Sequence, residues 1–245
     1  MSTDSASRLP HVVAKVVDVV ARSRGVVAVT LGGSRSMGEA DEASDWDLGV
    51  FYRGDLDLGM LTELGTIHSP GSWGRFMNGG AWLDVDGVEI DVILRDLEVV
   101  DEWSTRARRG DYEVDQLLGY LAGFPSYTLL AEVACSNVLT GALQFDTSFP
   151  EELAREATDR WGFQRDFTLD YARAHARRGD VTATIGNLAR AAMEEAHRRM
   201  VVGHRWVLNE KRLLAHAGLD ALPIFDPRRT GLEAFVDDFA TALID

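Results

Sequence analysis

Three acidic residues sit where their charge is costly unless something neutralises it. Asp45 and Asp47 flank Trp46 at the head of the apolar run Leu48–Tyr52. In a strand, residues i and i+2 point to the same side, so both carboxylates face one place while Trp46 faces the core. Two like charges held together repel, and burial sharpens the conflict. A divalent cation removes it; Mg²⁺ prefers carboxylates and water, with substrate phosphates completing its shell. An Asp-x-Asp also closes solvated turns at strand starts, and a third acid separates the two readings. Asp91 lies inside Ile90-Asp91-Val92-Ile93, where an unpartnered carboxylate is expensive to bury. If its strand lies beside that of Asp45 and Asp47, the three converge. Paired cations about 3.5–4 Å apart would there clamp the attacking and leaving oxygens of an in-line phosphoryl displacement.

The second chemical feature is Gly32-Gly33-Ser34. Gly33 and Gly38 have the spacing of a Walker A loop, but Glu39 and Ala40 follow where Lys and Ser/Thr are required, so a P-loop is rejected. A dinucleotide Gly-x-Gly-x-x-Gly is absent as well. What remains is strand, Gly-Gly-Ser, short helix: glycines that let the backbone approach a ligand, a hydroxyl, and helical N–H groups that favour an anion.

The elements that must position these residues can be read from periodicity. Residues 7–23 carry Leu9, Val12, Val13, Val16, Val17 and Val20 at helical spacing, ending at Gly25. Val26–Leu31 reads as a buried strand, and Ser34 caps a short helix through Met37, stopped by Gly38. Trp46–Tyr52 is a second strand. Ala81–Val85 and Val88–Leu94 form a hairpin about Asp86-Gly87. In it Val88, Ile90 and Val92 share one face, and Glu89, Asp91 and Ile93 the other; Trp82 falls opposite Asp91 and reads as core. Asp55–Leu64 is expected to be helical, and Gly65–Gly80 a mobile loop. Helices are expected at 97–109, 127–139, 151–178 (dividing near Gly162), 181–202, 208–217 and 228–243. The fold class is therefore α+β: a mixed sheet with flanking helices over 1–145, then an all-α bundle over 146–245.

Composition bounds the function. The formal net charge is −14, with 23 acidic and 11 basic side chains in residues 1–148 and 16 and 14 in residues 149–245. An acidic N-terminal half repels a phosphate backbone, which disfavours nucleic acid, and attracts a cationic small molecule. The longest apolar stretch, Leu9–Leu31, is broken by His11, Lys15, Asp18, Arg22 and Arg24, so no membrane span is expected. The N-terminal residues lack a signal-peptide core. One cysteine, Cys135, excludes an internal disulfide, and the expected location is the cytoplasm. His197 and His204 read as structural. Trp161, Phe163, Phe167 and Tyr171 fit helix packing better than base stacking.

Gly33-Ser34 followed by Ser44-Asp45-Trp46-Asp47-Leu48, with Asp91 on a later strand, resembles the nucleotidyltransferase fold of the DNA polymerase β superfamily. The likeness covers residues 25–95. Gly123-Phe124-Pro125 with Ala131-Glu132, and Trp206 to Lys211, resemble segments of bacterial small-molecule nucleotidyltransferases with a C-terminal helical domain, akin to the kanamycin and streptomycin enzymes. The resemblance implies that Asp45, Asp47 and Asp91 hold one or two Mg²⁺ ions. It implies that Gly33, Ser34 and Ser44 contact the triphosphate, with Arg35 at a position that is phosphate-binding or small in relatives. Lys211, one of only two lysines, corresponds to a lysine that reaches the phosphates.

The resulting expectation is a Mg-dependent enzyme that moves AMP from ATP, or another nucleoside monophosphate, to a hydroxyl of a small-molecule acceptor. The acceptor is expected to be an aminoglycoside-like cation. Asp91 is preferred as general base over Glu89, Glu194, Glu195 and Glu210; helix-surface salt bridges account for Glu194 and Glu195 equally well. The alternatives are an antitoxin-like enzyme that transfers AMP to a protein, and a silent binding module on the same fold.

Overall fold

The computed structural model describes residues 9–41 and 44–244. By contacts these fall into two compact units. One comprises residues up to 105 together with 129–148, the other 106–128 together with 149 onward. The sequence places a single boundary between 145 and 146. Contacts instead divide the chain discontinuously, because residues 106–128 bury their apolar side chains among the C-terminal helices.

The first unit is a six-stranded mixed sheet. Its strands are β1 (Val26–Leu31), β2 (Trp46–Tyr52), β3 (Gly65–His68), β4 (Gly79–Val85), β5 (Val88–Asp96) and β8 (Asn137–Gly141), in the order β3-β4-β5-β2-β1-β8. Only β2 and β5 run parallel; the other neighbours are antiparallel. Helix α1 (His11–Ala21) lays Val13, Val16, Val17 and Val20 on one sheet face, against Leu48, Val50, Ile90, Val92 and Leu94. That face is the core, and the alternation along β5 follows from it: Ile90, Val92 and Leu94 point in, so Glu89 and Asp91 point to the opposite face. Asp86 and Gly87 both take positive φ, 54° and 77°, as the tight hairpin requires.

Several expectations are corrected here. Helix α2 (Gly33–Met37) has Gly32 as its N-cap and no side-chain cap, so Ser34 lies inside the helix. Residues 55–64 make only a single 3-10 turn at Gly59–Leu61; the Asp57 carboxylate accepts the Gly59 N–H at 2.9 Å, competing with helix formation. The expected mobile loop contains the edge strand β3 and the first residues of β4. Its remainder is tied down: the Gly71 N–H donates to Asn78 Oδ1, and Asn78 Nδ2 donates to the Tyr52 hydroxyl, both at 2.8 Å. The expected helix 127–139 stops at Cys135 (α4, Thr128–Cys135). Asn137–Gly141 pairs with β1, and a Cβ at Gly141 would run into the Val27 carbonyl.

Helix α3 (Leu97–Ala107) and the two-residue strands β6 (Val114–Asp115) and β7 (Phe124–Pro125) precede α4. The second unit is dominated by α5 (Glu151–Ala176) and α6 (Val181–Val202), followed by α7 (Leu213–His216) and α8 (Leu232–Ile244). Helix α5 runs unbroken through Gly162. Gly179 at φ 71° and the Asp180 carboxylate, which accepts the Ala183 N–H, turn the chain into α6. Among the described residues no helix is long and apolar enough to cross a membrane.

Candidate functional site

The parallel pairing of β2 and β5 sets Asp47 beside Asp91 in register, on the sheet face turned away from α1. Adjacent strands lie about 4.8 Å apart, so the two carboxylates are immediate neighbours. Two residues earlier on the same face, just before β2 begins, Asp45 meets Glu89. The Glu89 carboxyl is held above its ordinary range, first by a hydrogen bond shared with Asp45, then by the Asp45 charge, desolvation, and the charges of Asp84 and Asp91. The acids thus form two successive rungs of like charge.

The glycine turn closes against this ladder. The Gly32 N–H donates to the Asp47 carbonyl at 2.8 Å. Gly33 adopts φ +59°, and a Cβ there would overlap the Asp47 carboxylate. Glycine is required at this position on both counts. Arg35 does not point to open solvent. Its guanidinium donates to the Asp45 carbonyl at 3.0 Å and to the Ser44 carbonyl, and lies 4.1 Å over the Trp46 ring. It therefore positions the backbone that presents Asp45. The Ser44 hydroxyl accepts the Asp41 N–H and donates to Asp41 Oδ1, both at 3.0 Å. Ser34 accepts the Gly38 and Glu39 N–H groups through its carbonyl.

The donor set suits a hard cation. Asp45, Asp47 and Asp91 offer oxygen only, and like charges held on neighbouring strands are what a cation relieves. Among the described residues no three His, Cys, Asp or Glu side chains form a ready-made metal cage. Mg²⁺ asks for less, since it usually keeps several waters and takes one or two carboxylates together with substrate phosphates.

Lys211, Glu194, Glu195 and Glu210 belong to the other unit. Glu194 and Glu195 are 1 % and 0 % exposed, which corrects the helix-surface reading. Arg165, Arg198 and Arg199 all donate to Glu195, and Arg190 donates to Glu194. Glu210 accepts the Leu121 and Ala122 N–H groups at 2.6 and 2.9 Å. These carboxylates are engaged within their own unit. Lys211 is exposed and its N–H donates to Asn209 Oδ1. His197 is buried and stacked on Trp161, with ring centroids 4.5 Å apart, and its Nε2 lies 3.8 Å from Glu210 Oε1.

Sequence reading missed three features. Trp82 is not core: it is 54 % exposed and stacks on Trp73. Phe163, Phe167 and Tyr171 form an exposed ladder on α5, whereas Trp161 is buried. Arg95, 1 % exposed, is paired with Glu132 of α4 and donates to the Met77 carbonyl. An arginine inside the apolar run of β5 was the available signal, since a buried guanidinium demands an acid partner.

Residues 13–108 match the nucleotidyltransferase domain family. No curated protein matches the chain in sequence. Among solved structures the chain is similar to a nucleotidyltransferase-like protein from Exiguobacterium sibiricum, at 12 % identity, covering 95 % of this chain and 72 % of that one, with a TM-score of 0.46.

Proposed function

Starting from a nucleotidyltransferase domain at residues 13–108, we propose that this protein is a Mg²⁺-dependent enzyme that transfers AMP from ATP to a hydroxyl of a cationic small molecule. The observation that carries the reading is the pair of carboxylate rungs, Asp45 with Glu89 and Asp47 with Asp91, closed on one side by Gly33.

Asp45, Asp47 and Asp91 would hold the metal, which when bound supplies charge neutralisation and Lewis acidity at the phosphates. Gly33, Ser34 and Ser44 are assigned to the triphosphate. Gly33 can serve because it has no side chain to exclude a phosphate from the Asp47 carboxylate. Arg35 acts through the loop, fixing Ser44 and Asp45. Asp91 takes the proton of the acceptor hydroxyl, whose oxygen then bonds to the α-phosphorus. The bond from that phosphorus to the β-bridging oxygen breaks, and pyrophosphate carries the electron pair away.

Two measurements test the reading. Calorimetry with Mg²⁺ and a non-hydrolysable ATP analogue should show binding that is lost in the Asp45→Asn, Asp47→Asn double variant while circular dichroism is unchanged; retained binding in that variant refutes the site. Incubation with labelled ATP, Mg²⁺ and an aminoglycoside panel should yield a labelled adduct that Asp91→Asn abolishes.

A further inference from the structure

We propose that Trp82, stacked on Trp73 and edged by His68, is the acceptor subsite of this centre, and that it selects a ring-shaped small molecule carrying protonated amines. The inference rests on the nucleotidyl-transfer reading above.

The register places it. Across the sheet, Trp82 on β4 is paired with Asp91 on β5, which is paired with Asp47 on β2. Directly paired residues point to the same face, so the indole and both carboxylates share one surface. Gly33 follows β1, on the far side of β2. Phosphates held at Gly33 therefore leave the opposite side of Asp91, the Trp82 side, for the nucleophile. In-line displacement requires nucleophile and leaving group on opposite sides of the phosphorus.

The platform is built into the strand. Trp73 and Trp82 stack with centroids 5.4 Å apart and planes at 28°, and His68 meets Trp82 edge-on at 4.4 Å and Trp73 at 4.9 Å. Gly80, two residues before Trp82 on the same strand face, makes room for Trp73: a Cβ there would lie 2.5 Å from its Cζ3 and Cη2. The result is a half-exposed aromatic surface rather than a core cluster.

Charge selects the occupant. Asp84 pairs with Glu89 two residues beyond the Trp82–Asp91 pair, on the same sheet face, so carboxylates rim the platform. Aromatic faces attract cations, and the rim adds ammonium–carboxylate contacts. A saturated ring with protonated amines matches both. A nucleobase would match the aromatic surface only, leaving the carboxylate rim without a cationic partner.

The test is calorimetry without nucleotide, using kanamycin as a cationic ring probe, spermine as an acyclic polycation and maltose as an uncharged ring. Kanamycin should bind the wild type at least about tenfold more tightly than either control. Trp82→Ala should weaken kanamycin by about tenfold or more and Trp82→Phe should restore most of it, while the Mg²⁺–ATP analogue binds all three proteins alike. Absence of kanamycin binding, equal binding of spermine, or an unchanged Trp82→Ala variant overturns the proposal. Loss of the nucleotide analogue in Trp82→Ala overturns it in favour of a nucleobase platform. Trp82-dependent kanamycin binding by a wild type that takes no nucleotide analogue instead refutes the nucleotidyl-transfer reading, leaving a cation-binding module.

Discussion

Gly33 and Glu195 are held by opposite kinds of constraint, and each predicts a distinct failure. At Gly33 a left-handed backbone costs an L-residue roughly 1–2 kcal/mol, and a methyl would also displace the Asp47 carboxylate. Gly33→Ala should therefore fold, lose a few degrees of Tm, and lose binding of the Mg²⁺–ATP analogue; calorimetry beside a thermal melt separates the two effects. At Glu195, burial by itself would raise the carboxyl, but Arg198, Arg165 and Arg199 outweigh it and hold the group below its ordinary value. The folded state then binds fewer protons than the unfolded chain. The stabilisation is present above the unfolded glutamate value, about 4.3, and is lost as pH falls through the lower folded value. Glu195→Gln should lower Tm at pH 7, consistent with a cost of about 3–5 kcal/mol for breaking a buried pair. It should also flatten the loss of Tm on acidification, as a pH series of melts would show.

At the scale of elements, the site depends on contacts that never touch a substrate. Arg95 and Glu132 join β5 to α4 in the first unit, with the guanidinium almost fully buried. Glu132→Ala strands that charge and should cost about 3–5 kcal/mol, measured by denaturant unfolding. A weaker effect on metal-dependent binding is expected, because Asp91 sits four residues from Arg95 on the same strand. Arg35 joins α2 to the segment before β2 through two carbonyls and one indole. Lysine cannot reproduce a forked, stacked contact, so Arg35→Lys should weaken the ATP analogue much as Arg35→Ala does. Equal affinity of Arg35→Lys and wild type would show that the loop holds itself.

For the molecule as a whole, the discontinuous division makes a prediction about fragments. Ala107, Tyr112, Ala122 and Tyr127 share a core with Leu153, Ala157, Trp161 and Val201, and Trp161 Nε1 donates to the Tyr127 hydroxyl at 2.9 Å. A fragment of residues 149–245 loses half of that core and exposes Trp161. It should show no cooperative melt by circular dichroism, and its indole fluorescence should be red-shifted. Cooperative unfolding of that fragment would show that residues 106–128 are dispensable to the helical unit. The net charge of −14 belongs to this scale as well, acting on which ligands approach rather than on how the chain folds.

Local pattern was enough for β1, β2, the Asp86-Gly87 hairpin and α6, because burial on one face imposes a period that survives in the sequence. The strand parity that sets Asp47 and Asp91 on one sheet face was legible for the same reason. Tertiary structure decided what depends on a neighbour far along the chain. Asn137–Gly141 became a strand only because β1 offered an open edge. Glu195 looks like a surface acid until α5 brings Arg165 over it. Trp82 looks like core until the placement of α1 makes the opposite sheet face the buried one. An apolar residue type records that a side chain can be buried; which face of the sheet is covered is settled by packing.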